Sequence, residues 1–295
     1  MTAASAAAAA RALPRRLPRR GWGGLIVPAL LVLILVFVLP IGQLALNSFH
    51  AKAGPGMIDP AWTLENYVRF LTDPFYYGIL LETFVLGIVV VSICLVIGYP
   101  VAYFLARTRS RWRGALIFVV VSPLLISVVI RNLGWLPVLG SSGVINWLLL
   151  TLGILSEPVQ LINNYIGVVI GLTHALSPFM ILSLMTVIQR IEPEIEEASI
   201  NLGASPLETF WRIVVPLSRP GVLAGYLLVF TVVLSAFTTP GMMGGNRVLV
   251  MSTYIGQQIR TALNYPFAAM AAIVLMLVTT LTTLIALRLS GGKNP

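Results

Sequence analysis

From Leu25 to Leu46 the chain runs without a charged side chain, and apolar stretches of comparable character recur at 79–106, 115–130, 165–188, 221–239 and 267–289. A hydrocarbon core about 30 Å thick takes about 20 such residues in a helix. Inside it every backbone N–H and C=O must be bonded within the protein, which a single helix achieves alone. The pattern predicts an all-α, polytopic membrane protein with six transmembrane helices. The third stretch is short and can extend through Trp135, while Val144 to Leu152 is too short to span and is expected as a re-entrant or interfacial helix. A soluble domain is excluded by composition, since only 10% of the residues are charged where about 25% is usual.

Lysine and arginine orient such a chain, because they accumulate on the cytoplasmic side. With the N-terminus inside, that side holds Arg11, Arg15, Arg16, Arg19, Arg20, Arg107, Arg109, Arg111, Arg113, Arg190, Arg212, Arg219, Arg288 and Lys293, fourteen of the nineteen basic residues. Lys52, Arg69, Arg131, Arg247 and Arg260 remain outside. Both termini and the loop at 190–219 are therefore expected in the cytoplasm. The net charge of +9 is spread along span ends, which points to membrane lipids and not to nucleic acid.

The organisation expected is a disordered basic tail at 1–24, a six-span domain at 25–289 and a short tail at 290–295. The first span lacks an A-x-A cleavage pattern and exceeds a signal h-region, so it should stay attached. Cys94 is the single cysteine, which excludes an intrachain disulfide and a Cys-based metal cluster. No G-x-x-x-x-G-K-[ST] occurs, and Gly241, Gly244 and Gly245 follow no strand, so the chain has no P-loop for ATP. H-E-x-x-H and G-x-S-x-G are also missing, and His50 and His174 lie at different depths. No catalytic residue, metal site or cofactor site is expected.

Between the fourth and fifth apolar stretches lies Glu192 to Pro216, EPEIEEASINLGASPLETFWRIVVP. Pro193 suits a first helical position, and Glu194, Glu196 and Glu197 fall where the helix dipole favours negative charge. Ile195, Ala198 or Ser199, and Leu202 share one face, and Gly203 stands where a left-handed C-cap is needed. Ser205 and Glu208 have capping-box spacing with Pro206 at the next first position. Leu207, Phe210, Trp211 and Val214 then form a second apolar face, which Pro216 should interrupt. Helices lying on a membrane surface are usually rich in Lys and Arg on the polar face, whereas this polar face is mostly acidic. The pair is offered to a protein partner.

Glu197, Ala198, Ser199 and Gly203, followed by Ile213 and Pro216, resemble the EAA motif of ABC importer permeases: EAA, three residues, Gly, nine residues, I-x-L-P. Ser199 replaces the second alanine and Val215 the leucine, both small or apolar exchanges. The resemblance extends over nearly the whole chain after Leu25. It is closest to the polyamine (spermidine/putrescine) subgroup through Leu64-Glu65-Asn66-Tyr67, Gly98-Tyr99-Pro100, Ile130-Arg131, Pro178-Phe179-Met180, Met243-Gly244-Gly245 and Tyr265-Pro266-Phe267.

The resemblance implies a type I ABC importer permease fold in a bacterial inner membrane. It implies a cytoplasmic ATP-binding subunit dimer that holds ATP and Mg, a second homologous permease and an extracytoplasmic solute-binding protein. The loop is then a coupling helix, with Glu197, Ala198, Ser199, Gly203, Leu207, Phe210, Trp211 and Pro216 as the ATPase-coupling residues. Leu207, Phe210 and Trp211 would anchor in a pocket and Glu197 would pair with a basic partner residue, as interface hot spots do. The loops at 47–77 and 131–164 would receive the binding protein.

Polar residues within the spans are the substrate-pathway candidates: Glu82, His174, Ser177, Ser235 and Thr238, with Thr173 and Thr239 beside them. The alternatives are Glu82 bound to Arg69 or water at the interface, and hydroxyls bonded to their own helix backbone. A polyamine would want several carboxylates along its path, and Glu82 is the single acid, so an amino-acid-like, zwitterionic or anionic solute stays open. A secondary transporter would need coupling-ion carboxylates within the spans. Gly167 to Gly171 and Gly221 to Gly225 have G-x-x-x-G spacing, suited to close packing within the chain or against a second permease. Pro100, Pro123 and Pro178 are expected to break their spans.

Overall fold

The computed structural model describes residues 23–245 and 247–291. The basic tail expected at 1–24 lies outside them except for its last two residues. The C-terminal tail does too, except that the last helix reaches Gly291.

Helix α1 (Gly23–Leu33) passes through a π turn at Ile34–Val38 into α2 (Leu39–Asn47). This is the first span. No residue of its most apolar stretch is buried, so it stands at the rim of the molecule. The chain then forms an antiparallel hairpin, β1 (His50–Gly54) and β2 (Met57–Trp62), an addition to the all-helical expectation inside the loop at 47–77. The amide of Asn66, on α3 (Glu65–Thr72), donates to the carbonyls of Ser48 and His50 and ties the hairpin down.

Three long helices make the core: α4 (Pro74–Arg107), α8 (Tyr165–Ile188) and α12 (Arg219–Ser235). Their starts follow local rules. Asp73 accepts from the Phe75 amide with Pro74 at the first helical position, and Asn164 accepts from the Gly167 amide. Pro100 and Pro178, expected to break their spans, lie inside continuous helices. For Pro178 the reason is visible: the carbonyl it leaves free, that of His174, accepts from the Ser177 hydroxyl at 3.4 Å. A last helix, α15 (Tyr265–Gly291), packs on α2 and on α14 (Met251–Arg260).

Two spans differ from expectation. The third, expected at 115–130, is split into α5 (Arg113–Leu125) and α6 (Val128–Leu139) by extended backbone at Ile126 and Ser127. The segment at 144–152, expected as a re-entrant or interfacial helix too short to span, is α7 (Val144–Thr151), and together with α6 it forms an apolar stretch long enough to cross. The loop expected from Arg131 is thus helical at its start, and Arg131 lies in α6, donating from Nη1 to the Pro123 carbonyl at 2.6 Å. The fifth span, expected to reach residue 239, stops at Ser235. Ala236 is extended and a short helix, α13 (Thr238–Met243), follows. Among the described residues five helical stretches can cross a membrane, or six when the bent pair Pro206–Leu217 and Arg219–Ser235 counts as one.

Both G-x-x-x-G pairs pack within the chain. A Cβ on Gly225 would lie 2.6 Å from Met180 Sδ, and one on Gly171 would lie 2.5 Å from Met243 Sδ and 2.9 Å from Thr239. Gly171→Val should therefore overpack the core by about 1–3 kcal/mol. It should lower the thermal midpoint in detergent, whereas Gly114→Val, with nothing within 4 Å, should not. Equal melting of the two variants would contradict this packing.

Candidate functional site

The loop at 190–219 folds as its sequence dictates up to a point. Helix α9 (Pro193–Asn201) starts at Pro193 with Glu194 and Glu196 in its first turn. It ends on Gly203 at φ +95°, and the Ala204 amide closes the corner on the Ser199 carbonyl at 3.1 Å. Helix α10 (Pro206–Thr209) begins with a full capping box. Ser205 Oγ accepts from the Glu208 amide at 3.3 Å, and Glu208 Oε2 accepts from the Ser205 amide at 3.0 Å. The Ser205 amide and hydroxyl, both donating to Oε2, and nearby Arg212 hold the Glu208 carboxyl below its ordinary value.

Pro216 does not interrupt the second helix. A π turn at Phe210–Val214 passes into α11 (Val215–Leu217), and the Val215 amide bonds the Phe210 carbonyl five residues back. The widened turn accommodates a proline that has no N–H to continue an α ladder.

The loop has an inner and an outer face. Leu207 and Trp211 are outward, as are Ile195, Ile200 and Leu202, the last 90% exposed. Glu197, Ala198 and Gly203 are exposed too, and Ser199 is half-buried with its hydroxyl 2.9 Å from that of Thr209. Phe210, expected on the partner face, turns inward. Its ring stands edge-on to Tyr99 and Tyr103 at 5.3 and 5.4 Å. The carboxylate that the chain uses internally is Glu196, which accepts from Tyr103 Oη and Arg107 Nε, both at 2.9 Å.

Residues 95–291, more than half of the chain, match the family described as binding-protein-dependent transport system inner membrane component. The chain belongs to that family. Among its relatives, the spermidine/putrescine transport system permease protein PotB of Escherichia coli (strain K12) is 34% identical over 262 residues, covering 89% of this chain and 95% of that one. PotB of Haemophilus influenzae is 33% identical over 247 residues, covering 84% and 86%. A solved bacterial ABC transporter involved in the import of the acidic polysaccharide alginate shares the fold. Its chain has a TM-score of 0.77 at 19% identity and covers 92% of this chain and 95% of its own. The chain is a permease subunit of an ABC importer.

In this permease the polar residues of the spans are only partly brought together. Trp135 Nε1 on α6 donates to His174 Nδ1 on α8 at 3.2 Å, with the rings at right angles. Buried Asn132, also on α6, bonds buried Thr239 on α13 at 3.2 Å. Arg131 lies beside Asn132, and its Nε is buried without a partner. Thr238 is half-buried at the start of α13, next to Thr239 in the chain. Ser177 and Ser235 bond carbonyls of their own helices, and Ser235 is exposed. Glu82 is half-buried and forms no ion pair among the described residues. Arg69, which the alternative to a pathway role offered together with water as a partner for Glu82, lies over the rings of Tyr76 and Phe267 at 5.8 and 5.6 Å. Asn132 and Trp135 were not among the residues singled out from the sequence, because a single Asn or Trp in an apolar stretch carries no spacing signal.

A carboxyl held below its unfolded pKa stabilises the fold above that pKa, and the effect fades as pH falls through the folded value. Amides of the second corner, Glu208 and Thr209, should therefore lose protection in acid, below the ordinary Glu value of about 4.3. Hydrogen exchange of the wild type relative to Glu208→Gln should show the difference. A ratio that stays constant from neutral pH into acid would remove the capping role of Glu208.

Proposed function

We propose that this permease is half of the translocation pathway of an ATP-driven importer in a bacterial inner membrane, with both termini and the loop at 190–219 in the cytoplasm. A dimer of ATP-binding subunits holds ATP and Mg, and its docking on the loop rocks this chain against a second, homologous permease. An extracytoplasmic binding protein delivers the solute to the hairpin side. The observation that carries the reading is the outward apolar face of the helix pair, Leu202, Leu207 and Trp211, beside exposed Glu197. That face lies on two short helices whose remaining surface exposes Glu194, Glu197 and Glu208, an acidic surround that suits a protein partner better than hydrocarbon. Apolar and aromatic anchors next to a free carboxylate suit a groove with a basic rim.

The solute class that the relatives support is a polyamine. A second reading, an anionic or zwitterionic small solute, is favoured by one observation: α6 carries the unpartnered Arg131 Nε beside Asn132 and Trp135, which bond Thr239 and His174, and no carboxylate bonds these groups among the described residues. Either solute would pass near the midplane, where polar groups in membrane helices usually serve transport.

Two experiments test these statements. Leu207→Ala with Trp211→Ala should cut capture of the co-expressed ATP-binding subunit at least tenfold, the loss of two hot-spot side chains at about 1.4 kcal/mol or more in all. Unchanged capture would remove the loop from the contact. Thermal-shift screening of the cognate binding protein should show stabilisation by spermidine or putrescine. Stabilisation by an anion or amino acid alone would select the second reading.

A further inference from the structure

We infer that Glu196 is a positioning residue, which together with Arg107 and Tyr103 fastens the helix pair to α4 so that loop and helix move as one body. The inference rests on the coupling role proposed above and concerns how a push on the loop reaches the membrane.

Both oxygens of Glu196 are engaged. Oε1 accepts from Nε and Nη2 of Arg107, and Oε2 accepts from the Tyr103 hydroxyl at 2.9 Å. Arg107 Nη2 also donates to the Ile191 carbonyl at 3.0 Å, just ahead of α9. The two side chains retain only 20% and 13% of their exposure, so water screens them poorly. Arg107 sits in the last turn of α4 and Glu196 in the first turn of α9. Each charge therefore also opposes the dipole end of its own helix, and the pair joins a C-terminus to an N-terminus. A planar guanidinium bonded through two nitrogens fixes direction as well as distance.

The same stripe of α4 holds the loop at two further points. Tyr99, Tyr103 and Arg107 follow at four-residue spacing, so they line one helix face. Tyr99 and Tyr103 clasp the Phe210 ring, and Tyr99 shares a hydrogen bond with buried Ser218 at 2.5 Å, where the loop enters α12. Glu196, Phe210 and Ser218 thus attach the start, middle and end of the loop to one helix. The adjacent Glu197 is exposed and makes no such contact among the described residues, which leaves it for a partner.

The test uses the complete importer in proteoliposomes, with solute import and ATP hydrolysis measured on the same sample. Arg107→Glu and Glu196→Arg should each reduce import per ATP hydrolysed about tenfold, within the 5–150-fold span of coupling between sites. Capture of the ATP-binding subunit should persist, because neither residue lies on the outer face. The double variant R107E/E196R restores the ion pair but not the Tyr103 and Ile191 bonds or the dipole alignment, so it should regain part of the loss and exceed either single variant. Glu196→Gln, which keeps the shape and the acceptor for Tyr103, should lose less than Glu196→Arg and serves where a reversal fails to fold.

Wild-type import per ATP in the single variants would overturn the inference, as would a double variant no better than either single. Loss of subunit capture in Glu196→Gln would also overturn it, by placing Glu196 in the partner contact. A chain that never captures an ATP-binding subunit would instead overturn the coupling role itself.

Discussion

In hydrocarbon an apolar side chain gains little by turning from lipid to protein, so the contact among α4, α8 and α12 rests on how closely their backbones approach. Glycine supplies that approach. Gly98 faces Met180 and Ile181 across α4 and α8, Gly87 faces Phe230 across α4 and α12, and Gly221 and Gly225 admit Val187 and Met180 across α8 and α12. The other elements are placed relative to this triad. The rim span α1–α2 has no fully buried residue in its most apolar stretch and meets the rest through α15, and α15 closes a second cluster around Phe70, Tyr76, Met251 and Phe267.

The loop at 190–219 projects two short, polar-faced helices from this membrane scaffold. Its rigidity has local and tertiary sources. The Gly203 corner and the Ser205 capping box are set by residues within a few positions of one another. The attachment to Tyr99, Tyr103 and Arg107 depends on partners about ninety to one hundred and twenty residues away. Two adjacent glutamates consequently do different things: Glu196 binds inward and Glu197 faces out. The helical period explains the division, because neighbouring residues lie about 100° apart around the axis.

The membrane-embedded polar cluster arises from interruptions in otherwise apolar stretches. Extended backbone at Ile126 and Ser127 starts α6, and extended Ala236 starts α13. These breaks bring Asn132 to Thr239 and Trp135 to His174. Irregular backbone is tolerated at membrane depth only where protein or a polar cavity satisfies it, and the Arg131 bond to the Pro123 carbonyl is one such satisfaction.

By itself the sequence determined the class of fold, the spans at 25–46, 79–106, 165–188 and 267–289, the two helix starts and the glycine corner of the loop. Each of these is local: apolar length is set by bilayer thickness, the first loop helix by Pro193 and its acidic first turn, and the second by the Ser205–Glu208 capping box. The split of the third span, the early end of the fifth and the passage of the second loop helix through Pro216 were decided by tertiary structure. So were the inward turn of Phe210, the choice of Glu196 over Glu197 and the pairing of Arg69 with aromatic rings in place of Glu82. For Phe210, Glu196 and Arg69 the deciding partner is distant along the chain, and at Pro216 the backbone relaxes around the proline. Apolar periodicity says that a face is covered, but not by what.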